Sequence, residues 1–149
     1  MYSRTWGQFA LDLIAPCHCA LCELPSRRAI DLCLDCEGEL PWLTNCCRQC
    51  ALPLAGASDS LCGQCLAKPP AFDHCIAACA YTAPISGWIH AAKYHGDFTR
   101  LRILAYLLRR ALSERSALAT PPDLVIAMPL HWRRRWKRGF NQAQELTRE

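Results

Sequence analysis

A chain of 149 residues, 52% hydrophobic and 20% charged, can bury one ordinary core or two small ones and is too apolar to be a disordered tail. Its net charge of +4 is modest but unevenly placed, because no acid falls between Asp123 and Glu145. No apolar run approaches the roughly 18 residues of a membrane span, and twelve cysteines are too many to be explained by packing.

The first sixteen residues are expected to form an N-terminal helix. They carry an apolar stretch, but Gln8 and Asp12 interrupt any secretory core, and Pro16 fits poorly before Cys17 as a lipoprotein cleavage site. The expected location is therefore the cytoplasm, where disulfides are rare and thiols bind metal or do chemistry.

Eight cysteines then fall into four C-x-x-C pairs: Cys19 and Cys22, Cys33 and Cys36, Cys47 and Cys50, Cys62 and Cys65. Two thiolates two residues apart chelate one ion from a tight knuckle, and a second knuckle completes the tetrahedral four-sulfur shell that zinc prefers. Residues 17–67 thus predict two zinc ions with no open coordination position, which makes them structural. Sequential pairing closes the shorter loops and is favoured, although interleaved pairing stays open. Thioredoxin-like redox chemistry competes, but it ordinarily uses one such pair on a strand-to-helix turn. Cys17, Cys46 or His18 could stand in for a neighbouring ligand. Cys75 and Cys79, in the β-like run HCIAACAYT, read as small buried side chains.

Composition shifts after Ala67, and Pro69–Pro70 mark a boundary before a second domain at 71–149. A strand is expected across HCIAACAYT. A short helix follows in PISGWIHAAKYHGD, with Ile85, Trp88, Ile89 and Ala92 at helical spacing and Gly96 at its end. A longer one covers 98–118, with Leu101, Leu104, Leu107, Leu108 and Leu112 on one face. Asp123 to Leu130 predicts a buried parallel strand. It leads into a basic loop carrying Arg133, Arg134, Arg135, Lys137 and Arg138, and then a helix starting near Phe140 or Asn141. Cations before a helix N-terminus suit an anion, with a merely solvated basic face as the alternative. Trp132, Trp136 and Phe140 either pack under the loop or stack on bases.

Four C-x-x-C pairs, then KPPAFD, YTAPISGWIHAAKYHGD and DLVIAMPLHWRRRWKRGFNQAQEL, together resemble the ComF family, including its GntX-type members. The resemblance runs from Cys19 to the end and implies a double zinc ribbon followed by the N-terminal part of an α/β type I phosphoribosyltransferase fold. It also implies a phosphoribosyl pyrophosphate site, used with Mg2+ in a full-length form, and a link to competence and DNA uptake. Arg134, Arg135, Arg138, Gly139, Asn141 and Gln142 would form the phosphate or pyrophosphate side of that site. Gly139 would permit close approach, and Asn141 would either cap the next helix or bond the ligand. Lys93 and Tyr94 match the family's KY segment, structural or ligand-lining.

One departure is large. The acidic strand end and Thr/Gly-rich loop that cradle a 5′-phosphate have no counterpart in these 149 residues, which contain neither DD nor TT. The end at Glu149 therefore reads as a truncation before that loop, and the expected state is transferase-inactive with no catalytic residue identified. Two other readings compete. One is a zinc-ribbon module for single-stranded DNA, weakened because Arg27, Arg28 and Arg48 in the ribbon face Glu23, Asp31, Asp35, Glu37, Glu39 and Asp59. The other is an adaptor whose ribbons dock a protein partner.

Overall fold

The computed structural model describes residues 17–56, 60–114 and 122–148. The helix expected over the first sixteen residues, and the end of the long helix beyond Glu114, lie outside the described residues. Six helices are described: α1 (Leu34–Gly38), α2 (Gly63–Ala67), α3 (Ile85–Tyr94), α4 (Phe98–Glu114), α5 (Trp132–Arg138) and α6 (Gln142–Leu146). Among the described residues, β structure is limited to the isolated antiparallel bridges His18–Pro25, Trp42–Cys79 and Cys46–Pro53. No described helix is long and apolar enough to cross a membrane. The chain divides into two compact units, Met1–Leu40 and Pro41–Glu149.

Among the described residues of the first unit, the buried aliphatic side chains are Leu32 and Leu40, a small core for a segment of this length. Glu37 is as buried as they are, and it pairs with Arg28, whose guanidinium also donates to the Leu32 carbonyl at 3.2 Å. A buried carboxylate is tolerable only with such partners. Glu37, counted by sequence among the ribbon's charges, is thus internal, and Arg28 is half-buried over it.

In the second unit the segment of residues 41–43 pairs with 78–80: Leu43 N–H donates to Ala78 at 3.0 Å, and Ala80 N–H to Pro41 at 2.8 Å. HCIAACAYT is therefore extended but makes one bridge instead of a strand in a sheet. Its cysteines are correspondingly less buried than expected, Cys75 being exposed and Cys79 half-buried. Helix α3 buries Ile85, Trp88 and Ala92, with Ile89 half-buried, and ends before Gly96 at φ +63°. Helix α4 packs against both α3 and α6. Two neighbours widen its buried sector beyond one leucine stripe: Ile103, Ala105 and Ala111 join Leu101 and Leu107 inside, while Leu104, Leu108 and Leu112 are half-buried.

Two expectations for the basic region are corrected. Residues 124–130 form no strand, and Leu124, Val125, Ile126 and Met128 are exposed. A parallel strand is stable only when neighbours satisfy its backbone and cover its faces, and no described residue pairs with this one. The expected basic loop is instead the helix α5. Nothing in WRRRWKR breaks a helix until Gly139, which ends it at φ +79° with its N–H on the Arg135 carbonyl at 2.8 Å.

Asp97 starts α4 by accepting from Arg100 N–H at 2.9 Å, and it also pairs with the Arg100 guanidinium. Burial opposes its ionisation, but the Arg100 backbone N–H and guanidinium outweigh that and hold its carboxyl below the ordinary 3.8. Replacing Asp97 by Ala is expected to cost about 1 kcal/mol in urea unfolding, the usual worth of a cap. The carboxylate's contribution is complete above its unfolded pKa and is lost as pH falls through the lower folded value. Asp97→Asn should retain the cap at neutral pH while flattening the acid limb of the stability profile.

Candidate metal centres and a basic pocket

Each quartet is built the same way. In the first, a knuckle carries Cys19 and Cys22, Glu23 N–H returns to the Cys19 carbonyl at 2.9 Å, and Cys19 N–H donates to Leu24 at 2.8 Å. Cys33 then caps α1, its sulfur accepting from Cys36 N–H at 3.5 Å. In the second, Ala51 N–H returns to Cys47 and Cys47 N–H donates to Leu52, both at 2.8 Å, and Cys62 caps α2 with its sulfur on Cys65 N–H at 3.4 Å. The chain must reverse just after each knuckle, so Glu23 and Ala51 take the left-handed conformation, at φ 61° and 60°.

The four sulfurs of Cys19, Cys22, Cys33 and Cys36 lie within 4.8 Å of one another, as do those of Cys47, Cys50, Cys62 and Cys65. The grouping is sequential. His18, Cys17 and Cys46 stand outside it. Sulfurs about 2.3 Å from a central zinc in a tetrahedron would be about 3.8 Å apart. Cys22 and Cys33 are at 3.8 Å, and Cys50 and Cys62 at 3.7 Å. Both sets fit zinc in geometry and in ligand type. Zinc bound there would supply a cross-link and, with four protein sulfurs around it, no open position for substrate.

Protonation agrees with that fit. At Cys19 burial opposes ionisation, but the backbone N–H groups of Cys22, Cys33 and Leu21 prevail and bring its pKa down to about 6. The Cys50 and Cys62 N–H groups do the same for Cys47, also to about 6. The last thiols resist: burial and the neighbouring sulfurs push Cys65 up to about 12, and Cys33 followed by burial raises Cys36. One thiolate per quartet thus forms easily, while a full set calls for a cation among the sulfurs.

The two quartets are an internal repeat that reading the cysteines alone does not reveal. CALCELP and CRQCALP align at an offset of 28 residues, and the bridges His18–Pro25 and Cys46–Pro53 coincide under it. The shared C-x-L-P following each knuckle is the sequence signal.

Separately, within the second unit, Lys93, Tyr94, His95 and Gly96 from the end of α3 face Arg134, Lys137, Arg138 and Phe140 across a cavity of about 540 Å³. No carboxylate is among its described lining residues. The Arg138 guanidinium lies 5.0 Å over the Tyr94 ring and donates to Gln142 Oε1 at 3.4 Å. Phe140 packs on Phe98, with ring centroids 4.9 Å apart. Of the residues expected on the phosphate side, Arg134 and Arg138 line the cavity and Arg135 does not. Gly139 is required by its φ and not by crowding, since a β-carbon there would meet nothing within 4 Å. Asn141 caps α6 through Ala143 N–H at 3.1 Å and donates to the Met128 carbonyl at 3.0 Å. Gln142 steadies Arg138, leaving its own buried Nε2 without a hydrogen-bond partner. Lys137, one of the cations expected before the helix, joins the lining, as does His95, which is not expected there. His95 sits one residue past the KY pair.

Left-handed residues other than glycine cost about 1 kcal/mol. Glu23 is exposed, so Glu23→Gly should stabilise the first unit by about that amount against chelator-driven unfolding followed by circular dichroism. Ala51 is buried, and losing its methyl costs about 0.8 kcal/mol, so Ala51→Gly should be close to neutral.

The family model for the double zinc ribbon domain matches residues 10–66. DNA utilization protein YhgH of Salmonella typhi is 36% identical over 137 residues, covering 90% of this chain and 60% of that protein. YhgH of Escherichia coli (strain K12) is 34% identical over 141 residues, with the same coverage. Competence protein F of Haemophilus influenzae is 31% identical over 132 residues, covering 78% of this chain and 58% of its own length. No solved structure matches. The chain spans about 60% of the length of the YhgH relatives it matches. With two four-sulfur centres inside a double zinc ribbon, and the same relatives matched on through the helical region, the chain belongs to the ComF family.

Proposed function

We propose that this chain supplies the zinc ribbon and the pyrophosphate-gripping part of a phosphoribosyltransferase-like protein that serves DNA uptake or utilisation. The observation that carries this reading is the cavity between α3 and α5. It gathers Lys93, Arg134, Lys137 and Arg138 with no acid among its described lining residues. Four cations in one concavity suit a multiply charged phosphate, and a guanidinium can meet two phosphate oxygens at once. Tyr94 and Gln142 hold Arg138 in place before any ligand arrives, which reduces the ordering cost of binding. The ligand best suited is phosphoribosyl pyrophosphate. A Mg2+ ion accompanying it would be held by the pyrophosphate oxygens on this side, where the lining offers no carboxylate. The 5′-phosphate and ribose would need groups other than these, so transfer itself would need residues beyond this cavity. The names of the relatives, DNA utilization protein and Competence protein F, supply the biological setting.

A second reading rests on its own observation. Trp132 and Trp136, one helical turn apart on α5, are 63% and 89% exposed, and Arg133 lies 5.2 Å over the Trp132 ring. Exposed indoles among arginines suit stacking with bases of single-stranded DNA. A protein partner for the ribbons is a third role, with no particular surface favouring it.

Calorimetric titration with pyrophosphate and with phosphoribosyl pyrophosphate, each with Mg2+, tests the first reading. Arg138→Ala should weaken either ligand by about tenfold, equivalent to about 1.4 kcal/mol, and an unchanged affinity would remove the cavity from the account. For the second, Trp136→Ala should weaken binding to an oligothymidine by about 1–3 kcal/mol while leaving pyrophosphate affinity unaltered. Undiminished oligothymidine binding in that variant would dismiss the stacking face.

A further inference from the structure

The two metal centres, alike in backbone, differ in how far solvent reaches them. In the second, Cys47, Cys62 and Cys65 are buried and Cys50 is half-buried. In the first, only Cys19 is buried; Cys33 and Cys36 are half-buried and Cys22 is exposed. An open groove of about 630 Å³ runs along the first centre, and three of its four cysteines, Cys22, Cys33 and Cys36, line it. Arg27 and Arg28 border the same groove. A small oxidant can therefore touch ligand sulfur at the first centre without any unfolding, whereas at the second it meets mainly backbone and apolar side chains such as Leu54 and Leu61.

We propose that Cys22 is an oxidation site, and that the first zinc centre is a peroxide-labile one while the second is a permanent cross-link. The chemistry balances with a peroxide as the oxidant. The Cys22 thiolate attacks one peroxide oxygen, the O–O bond breaks, and Cys22 becomes a sulfenic acid with release of hydroxide. The Cys33 thiolate, 3.8 Å away, then attacks the Cys22 sulfur, a disulfide forms, and a second hydroxide leaves. Two thiolates lose two electrons, hydrogen peroxide gains them, and both hydroxides take up protons as water. Zinc is left with Cys19 and Cys36 and dissociates. The consequence is local. Among its described residues, the first unit has little core besides Leu32 and Leu40 to hold it once the cross-link is gone. The second unit, which contains the other centre and the basic cavity, keeps its own cross-link.

The test uses the full 149-residue chain loaded with two equivalents of zinc. Hydrogen peroxide is added stepwise while a zinc-sensitive dye reports release, and samples are alkylated and mapped by peptide mass spectrometry. One equivalent should leave first, together with a Cys22–Cys33 disulfide, and the second should need at least about tenfold more peroxide. A dithiol plus zinc should restore the first equivalent. Cys75→Ser removes the exposed cysteine outside both centres and should leave the release curve unchanged. Cys22→His, which keeps a zinc ligand, should delay the first release several-fold. If that variant does not retain two zincs, the wild-type disulfide map alone decides. Simultaneous release of both ions, first oxidation within Cys47, Cys50, Cys62 and Cys65, or a first disulfide that excludes Cys22 would overturn the proposal.

Discussion

Four sulfurs drawn to within 4.8 Å of one another, twice over, are the constraint on which the first half of this protein depends. Among the described residues, the segment around them buries few aliphatic side chains, Leu32 and Leu40 in one unit and Leu43 and Ala51 in the other. Hydrophobic burial on that scale does not offset the entropy of ordering some fifty residues. A metal cross-link does, because the ligands are brought together only in the folded state. The backbone strain at Glu23 and Ala51 is a consequence: the chain must turn back within one residue of each knuckle to present its second sulfur.

In the second unit that constraint extends beyond the ribbon. The extended segment at 41–43 hydrogen-bonds to 78–80, and the Arg110 guanidinium of α4 lies 4.8 Å over the Trp42 ring. Helix α4 in turn packs on α3 and α6. The capped end of α3 carries Lys93 and Tyr94, and the segment between α5 and α6 carries Phe140, which packs on Phe98 at the start of α4. The basic cavity is thus assembled around one long helix that is itself in contact with the segment at 41–43 through Arg110 and Trp42. A cluster of cations would repel itself apart in a flexible loop. Here the helical backbone of α5 and the aromatic contacts hold the cations together.

The metal centres are legible in the cysteine spacing alone, because ligand geometry tolerates few alternatives at C-x-x-C. The end of α3 and the start of α6 are legible for similar reasons: Gly96 and Asn141 have local backbone roles that need no tertiary partner. What the sequence hides depends on neighbours. Asp123–Leu130 has the composition of a buried strand, yet composition does not supply the adjacent strands that would bury it. Arg133 to Arg138 suggest a loop leading to a helix, although a run without glycine or proline has no reason to stop being helical before Gly139. Burial of Ile103 and Ala111 follows from two helices meeting α4 at once, which a single-face pattern does not encode. The two sides of the cavity, Lys93 on one and Arg134 and Lys137 on the other, are distant in the chain, and only the packing of α3, α4 and α6 brings them together.

Zinc K-edge X-ray absorption on the metal-loaded chain tests the central claim most directly. Two zinc ions per chain, each with four sulfur neighbours at about 2.3 Å and no nitrogen shell, is the result predicted. A nitrogen or oxygen neighbour in the first shell, or a single zinc per chain, would contradict it.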